Sequence, residues 1–487
     1  MPASADSRST ARLAAFRRLR ETPWRYVFSI SGGGSAFLSD YLSIPGASAS
    51  FLEGLIPYSP EATNAFLGFR PENYSSERTA RLLAGAALRR ARTLNAAEQE
   101  TRKSDKNQKI KDVANFDLSA FSLVGVGATA SLVSDRPKRG EHRIFCAVET
   151  LFETFSATLT LEKGARDRAA EERLAADFIL TVLLFAAENA VARTAALELA
   201  DATANAVDSK LNAPLPPLSP TAWREFSAPI PPSDLLPLGP GDVASISWAT
   251  LDAVGSAFLF DLDSTAFPRP FPKVAALRFD AGKVAAIRFA PSRDGQTQER
   301  QDLTPPSASA SAATLYPGSF NPPHRAHRRV AELAAEKTGA PVAFELSVRN
   351  VDKPSLDALE ISRRIEALQK EAANVPIWTT NAPRFVEKAA LFPGSTFALG
   401  TDSVVRLGDA KYENGSTSQR DAVLERLAEL DARFLVFTRK LDGAVVAPES
   451  LPLPEKLRTL CDFVPPEEFL DDVSSTALRQ TRSRERS

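Results

Sequence analysis

Of the three histidines in this 487-residue chain, two stand three residues apart, at His324 and His327. They close the run Leu315-Tyr316-Pro317-Gly318-Ser319-Phe320-Asn321-Pro322-Pro323-His324-Arg325-Ala326-His327. Imidazoles at i and i+3 on a first helical turn share one face. They can donate hydrogen bonds to phosphate oxygens and to the charge that builds as a phosphoryl bond breaks. Gly318 lets the backbone approach a ligand closely. A helix beginning at this point turns N–H groups and the positive end of its dipole toward an anion. A zinc pair or two surface histidines are the other readings of the same residues. Zinc needs further ligands at suitable spacing, and Cys146 and Cys461 are remote in sequence, so the phosphate site leads.

The elements that must position this pair follow from periodicity. Residues 328–337 have apolar positions at 330, 333 and 334, which predicts a helix directly after the histidines. From residue 314 on, strands and helices alternate. Strands are expected at 341–348, 375–379, 396–400 and 432–438. Helices are expected at 356–372, 385–391, 420–430 and 474–482. Such alternation predicts an α/β domain with a parallel sheet wrapped by helices, and ligands at the C-terminal ends of the strands.

Gly-Ser-Phe-Asn-Pro-x-His-x-x-His resembles the signature of the nucleotidylyltransferase superfamily that includes NMN adenylyltransferase. There both histidines contact ATP phosphates, and the usual form is His-x-Gly-His. Here Ala326 replaces the glycine. A second motif, Val473-Ser474-Ser475-Thr476-Ala477-Leu478-Arg479, is similar to that superfamily's Ile-Ser-Ser-Thr-x-x-Arg. On its own it would read as a helix cap. A third, Gly400-Thr401-Asp402, resembles the Gly-x-Asp near substrate and ribose; Asp402 can otherwise cap a helix.

The resemblance implies transfer of a nucleoside monophosphate from ATP or CTP, with Mg²⁺, to a phosphorylated acceptor, with pyrophosphate released. It assigns the charge-neutralising role to His324, His327, Lys353 and Arg479. Gly318, Ser319, Phe320, Asn321, Gly400, Asp402, Ser474, Ser475 and Thr476 would hold the nucleotide. Arg364 would contact phosphate on the substrate side. Trp378 and Phe385 either stack a nicotinamide ring or belong to the core. No protein-held metal is expected. NMN is the leading acceptor. The alternatives are another phosphorylated acceptor, or a catalytically weak nucleotide-binding scaffold.

The first half repeats a strand, glycine turn and helix: Tyr26–Ile30, then Ser31-Gly32-Gly33-Gly34-Ser35, then Ala36–Leu42. That junction suits an anion. With Ile44-Pro45-Gly46-Ala47-Ser48 and Tyr58-Ser59-Pro60-Glu61-Ala62 it resembles the C-terminal domain of the CinA family, some of whose members deamidate NMN. Gly125–Ser131 resembles that family's later glycine loop. Ser31 falls at the family's nucleophile position, but the lysine expected after Tyr58 is Thr63. Without that activation Ser31 reads as a turn residue or phosphate contact. Two-part eukaryotic proteins, for instance in plants, join a CinA-like half to a nucleotidylyltransferase half and resemble this order.

The expected organisation is a CinA-like α/β domain at 1–210 and a proline-rich linker at 211–245. A small β unit with a second linker follows at 246–312, and a Rossmann-like nucleotidylyltransferase domain at 313–487. The expected helix over residues 10–20 carries Leu13, Phe16 and Leu19 on one stripe; the arginine-rich start also fits an organelle transit peptide. Net charge is −1, which gives no general polyanion surface, so no nucleic-acid partner is expected. Two cysteines exclude a disulfide framework and point to a reducing compartment; the resemblance to the two-part eukaryotic proteins implies a cytoplasmic or nuclear address. No run is apolar enough to span a membrane. A homo-oligomer through the CinA-like half is the protein partnership expected.

Overall fold

The computed structural model describes residues 5–104, 122–135, 139–207, 225–231, 233–250, 259, 277–280, 283–289, 313–350, 354–413, 415–438, 440–441 and 444–469. Two compact units divide the chain, 1–252 with 357–359, and 253–356 with 360–487.

The first unit is built on a seven-stranded mixed sheet in the order β2-β1-β3-β4-β5-β7-β6. Its strands are β1 (Arg25–Ser31), β2 (Phe51–Leu55), β3 (Leu123–Ser131), β4 (His142–Glu149), β5 (Glu153–Leu161), β6 (Glu225–Pro229) and β7 (Val243–Thr250). β1 runs parallel to β2 and β3; the remaining pairs are antiparallel. The helices are α1 (Ala5–Glu21), α2 (Ala36–Leu42), α3 (Pro60–Leu67), α4 (Glu77–Ser104) and α5 (Arg168–Val207). Tyr26, Phe28, Phe37 and Tyr41 pack ring on ring, with centroids 5.2 Å apart for Phe28–Phe37 and 6.0 Å apart for Tyr26–Tyr41. Each such buried aromatic contributes roughly 1.5–3 kcal/mol of transfer free energy.

Several expectations change here. Residues 125–131 form strand β3 rather than a loop. The glycines answer to α4: a Cβ on Gly127 would lie 2.2 Å from the Ala80 carbonyl oxygen and 2.4 Å from the Ala84 nitrogen. They are therefore a notch that admits the helix backbone. Residues 95–104 continue α4. Phe16 and Leu19 enter the core, whereas Leu13 is 42% exposed. The proline-rich stretch contains β6, and strands expected to form one small β unit divide between the two sheets. β7 pairs with β5 in the first. β8 (Leu277–Asp280) and β9 (Lys283–Phe289) belong to the second.

The second unit carries an eight-stranded sheet ordered β17-β14-β13-β10-β11-β12-β9-β8. Its other strands are β10 (Thr314–Pro317), β11 (Val342–Ser347), β12 (Ile377–Thr380), β13 (Thr396–Gly400), β14 (Arg433–Phe437) and β17 (Cys461–Val464). These six are parallel; β9 is antiparallel to β12 and to β8. Two short strands, β15 (Lys440–Leu441) and β16 (Ala444–Val445), pair separately. The helices are α6 (Arg325–Thr338), α7 (Ala358–Glu371), α8 (Phe385–Leu391), α9 (Thr401–Gly408), α10 (Thr417–Glu429) and α11 (Glu455–Arg458). The chain leaves β10 for β11 and β12 on one flank, then returns to place β13, β14 and β17 on the other. β10 is thus the point where strand order reverses, and crevices for ligands form at the C-terminal ends there.

Candidate functional site

The turn after β10 is shaped by packing. The Gly318 N–H donates to the Glu345 carbonyl at 3.0 Å. A Cβ on Gly318 would meet the Phe320 ring at 2.6 Å, so the glycine makes room for that ring. Phe320 adopts φ 45°, a region rarely occupied by aromatic residues. Its ring is 2% exposed and packs on Tyr316, Phe344 and His327. Phe320, expected among the nucleotide contacts, thus lies beneath the turn as its foundation. The Asn321–Pro322 peptide is cis, and Asn321 is half-buried.

His324 has extended backbone and stands at the N-cap of α6; His327 is on the first turn. The His324 N–H donates to His327 Nδ1 at 3.1 Å, and the His327 N–H donates to the His324 carbonyl at 2.8 Å. Accepting at Nδ1 places the proton of a neutral His327 ring on Nε2, as a donor. The two rings lie 3.8 Å apart between centroids at 35°. Both residues are 7% exposed. The Ala326 methyl is buried, so the substitution for glycine is absorbed inside the helix packing.

Arg364 on α7 pairs with Glu360 through Nη2 at 2.7 Å and donates from Nη1 to the carbonyl and hydroxyl oxygens of Ser319, each at 3.0 Å. It is buried, and it holds the turn. β10 and β13 pair in parallel, which sets Gly400 and the half-buried Asp402, at the start of α9, beside the end of β10. Trp378 meets Phe392 edge-on at 5.1 Å; Phe385 meets Phe397 at 5.8 Å and Phe434 at 5.7 Å. Both rings pack on the core of this unit. Lys353, Ser474, Ser475, Thr476 and Arg479 lie outside the described residues.

Sequence reasoning missed one polar group of the site. Glu345, inside apolar β11, is fully buried and lies 2.9 Å from the buried Nζ of Lys388 on α8. Its signal is a lone carboxylate in an otherwise apolar strand, without any local hint of its partner.

The corresponding junction in the first unit differs. A cavity of about 410 Å³ there includes Gly32, Gly33, Ser35, Tyr58, Arg168 and Glu172 in its walls. Glu172 accepts from the Ser35 N–H at 2.7 Å and from the Ser35 hydroxyl at 2.9 Å. The protein's own carboxylate therefore takes the donors that the glycine turn was expected to offer an anion. The Ser31 hydroxyl donates to the Pro57 carbonyl at 3.1 Å, and Thr63 donates to the same oxygen at 2.8 Å. A carbonyl cannot act as a general base, so Ser31 gains no activation from this contact.

Residues 315–481 match the family model described as cytidylyltransferase-like. The second half of the chain carries a cytidylyltransferase-like domain. Solved structures add weaker likenesses. A competence-damaged protein (CinA) superfamily protein from Escherichia coli is 16% identical with a TM-score of 0.28, covering 38% of this chain and 93% of that one. CihA from Agrobacterium tumefaciens is 15% identical with a TM-score of 0.25, covering 39% and 98%. Nicotinic acid mononucleotide adenylyltransferase from Plasmodium falciparum, complexed with NaAD, is 15% identical with a TM-score of 0.26, covering 35% and 83%. Scores this low decide nothing about chemistry. No curated protein matches the chain.

Proposed function

We propose that this protein transfers a nucleoside monophosphate from a nucleoside triphosphate to a small phosphorylated acceptor, most specifically AMP from ATP to NMN, with release of pyrophosphate. The observation that carries the reading is the close, tilted His324–His327 ring pair at the start of α6, just after the strand where sheet order reverses, inside a cytidylyltransferase-like domain.

The acceptor phosphate attacks the α-phosphorus in line, the bond to the bridging oxygen breaks, and pyrophosphate leaves with that oxygen. No enzyme-bound covalent intermediate is needed, so the protein's work is positioning and neutralisation of developing charge. His327 donates from Nε2 toward the phosphates, and the N–H groups at the start of α6 add to the positive potential. Arg364 keeps Ser319 and its turn in place. Lys353 and Arg479 would supply further cations. Magnesium belongs to the nucleotide substrate in this scheme; among the described residues no group of three His, Cys, Asp or Glu is placed to hold a metal ion. The first unit is read as a CinA-like companion domain without deamidase activity.

The test is pyrophosphate release by the full-length protein with ATP or CTP, magnesium and a panel of phosphorylated acceptors that includes NMN. Release with ATP and NMN alone supports the full reading. Release with another pair keeps the reaction and replaces the acceptor. Silence across the panel, with ATP still bound, leaves a nucleotide-binding scaffold.

A further inference from the structure

Beside the phosphate turn lies a buried polar cluster that the reaction scheme does not use. Glu345 Oε2 pairs with Lys388 Nζ, and both side chains are at most 4% exposed. Lys388 also donates to the Ser347 hydroxyl and, at 2.6 Å, to the Ala382 carbonyl. The Ser347 hydroxyl is 2.9 Å from Glu345 Oε1 and 3.3 Å from the Ala382 carbonyl. The Thr380 hydroxyl donates to the same Glu345 oxygen. The ends of β11 and β12 and the helix α8 therefore converge on one ion pair.

Stability is a poor reason for such a pair. Desolvating two charges offsets most of their attraction, and apolar residues of similar size often do as well. Geometry is a better reason. The Gly318 turn is tied to β11 through the backbone, by its N–H on the Glu345 carbonyl. The Ala382 carbonyl, between β12 and α8, is held by the side chains of Lys388 and Ser347. Residues 381–384 form a turn at the C-terminal edge of the sheet on this flank, whereas β13 passes into α9 without an intervening turn. With the triphosphate on the histidine turn, in-line attack requires the second substrate at an adjacent strand end.

We propose that the Glu345–Lys388 pair is a positioning device for the acceptor: it fixes the turn 381–384 that borders the acceptor's side of the site. The proposal rests on the nucleotidylyltransferase reading. Both residues act through the turn, not on the reacting atoms.

The decisive variant is the full-length double substitution Glu345→Met with Lys388→Met, which leaves no buried charge without a partner. Two readouts are taken: steady-state pyrophosphate release, and amide hydrogen exchange of the same protein without ligands. The folded double variant is expected to raise the acceptor KM about tenfold while the triphosphate KM stays within about twofold. Exchange is expected to quicken over 380–387 and to stay unchanged over 316–330. Unchanged KM values for both substrates, or a rise confined to the triphosphate, would overturn the positioning role. If the parent protein releases no pyrophosphate with any acceptor, the functional reading fails by itself. Exchange then decides alone, and an unaltered 380–387 segment overturns the proposal. Should the double variant not fold, Lys388→Arg, which keeps the charge and shifts the donors, takes its place in both measurements, and the same outcomes support or overturn the positioning role.

Discussion

Arg364 grips Ser319 by two atoms at once, its Nη1 lying 3.0 Å from both the carbonyl and the hydroxyl oxygen, while Glu360 accepts from Nε and Nη2 along another edge of the guanidinium. A planar fork can do this and a lysine cannot. Arg364→Lys should therefore loosen the turn without removing charge. The expected outcome is a triphosphate KM raised about tenfold, near 1.4 kcal/mol, with kcat little changed. Steady-state kinetics checks it. A collapse of kcat at constant KM would instead place Arg364 on the transferring phosphate.

In the proposed reaction His327 is the donor nearest the chemistry. Replacing it with alanine removes the Nε2 donor and also leaves the His324 N–H without its Nδ1 acceptor. Losing one preorganised donor to developing charge typically lowers turnover by about 10²–10³-fold. Pyrophosphate release by His327→Ala, measured beside a nucleotide-binding assay, should fall by that order. Turnover equal to the parent's would remove His327 from the mechanism.

The glycine notch in β3 makes a stability prediction. Gly127→Ala sets a methyl against backbone atoms of α4, which cannot swing aside as a side chain can. Overpacking of this kind costs about 1–3 kcal/mol, and a clash with backbone lies at the upper end. Gly140 has no atom within 4 Å of its ideal Cβ, so Gly140→Ala serves as the control. Thermal melts should separate the two variants clearly; equal melting temperatures would show that α4 is not seated on the strand.

Glu149 predicts a pH dependence. Burial pushes its carboxyl well above the ordinary carboxylate range and the Asp357 carboxylate adds to the rise, while Thr154, Arg81 and Arg89 pull the other way. The folded state therefore binds a proton that the unfolded state releases near the ordinary value of 4.5. Stability from this group is complete below that value and is lost as pH rises toward the folded-state pKa. Glu149→Gln keeps the shape and cannot ionise, so its melting temperature should fall less than the parent's between pH 5 and pH 8. Parallel curves would mean that the carboxyl ionises as readily in the folded protein as in the unfolded chain.

What the residues disclose in advance is local. α2, α8 and β13 fall on the expected positions because their apolar spacing and bounding turns sit within a few residues. The histidine turn is legible for the same reason. Phe320 is not, since only the fold reveals that its ring fills the space over Gly318. Gly125 and Gly127 look like a loop because their partner, the backbone of α4, lies outside any local window. The Glu345–Lys388 pair joins a strand to a helix well downstream, a relation that periodicity does not encode.

β9 runs antiparallel along β12, with Ile287 opposite Thr379 and Arg288 opposite Trp378. The match to the cytidylyltransferase-like family begins only at residue 315, after this strand. A catalytic fragment trimmed to that match would strip β12 of its neighbour and leave a row of bare amide and carbonyl groups beside the site. Such an edge invites pairing with other copies and precipitation. The smallest piece of this protein worth purifying for activity therefore starts upstream of Leu277, and it carries a hairpin that no catalytic motif would have asked for.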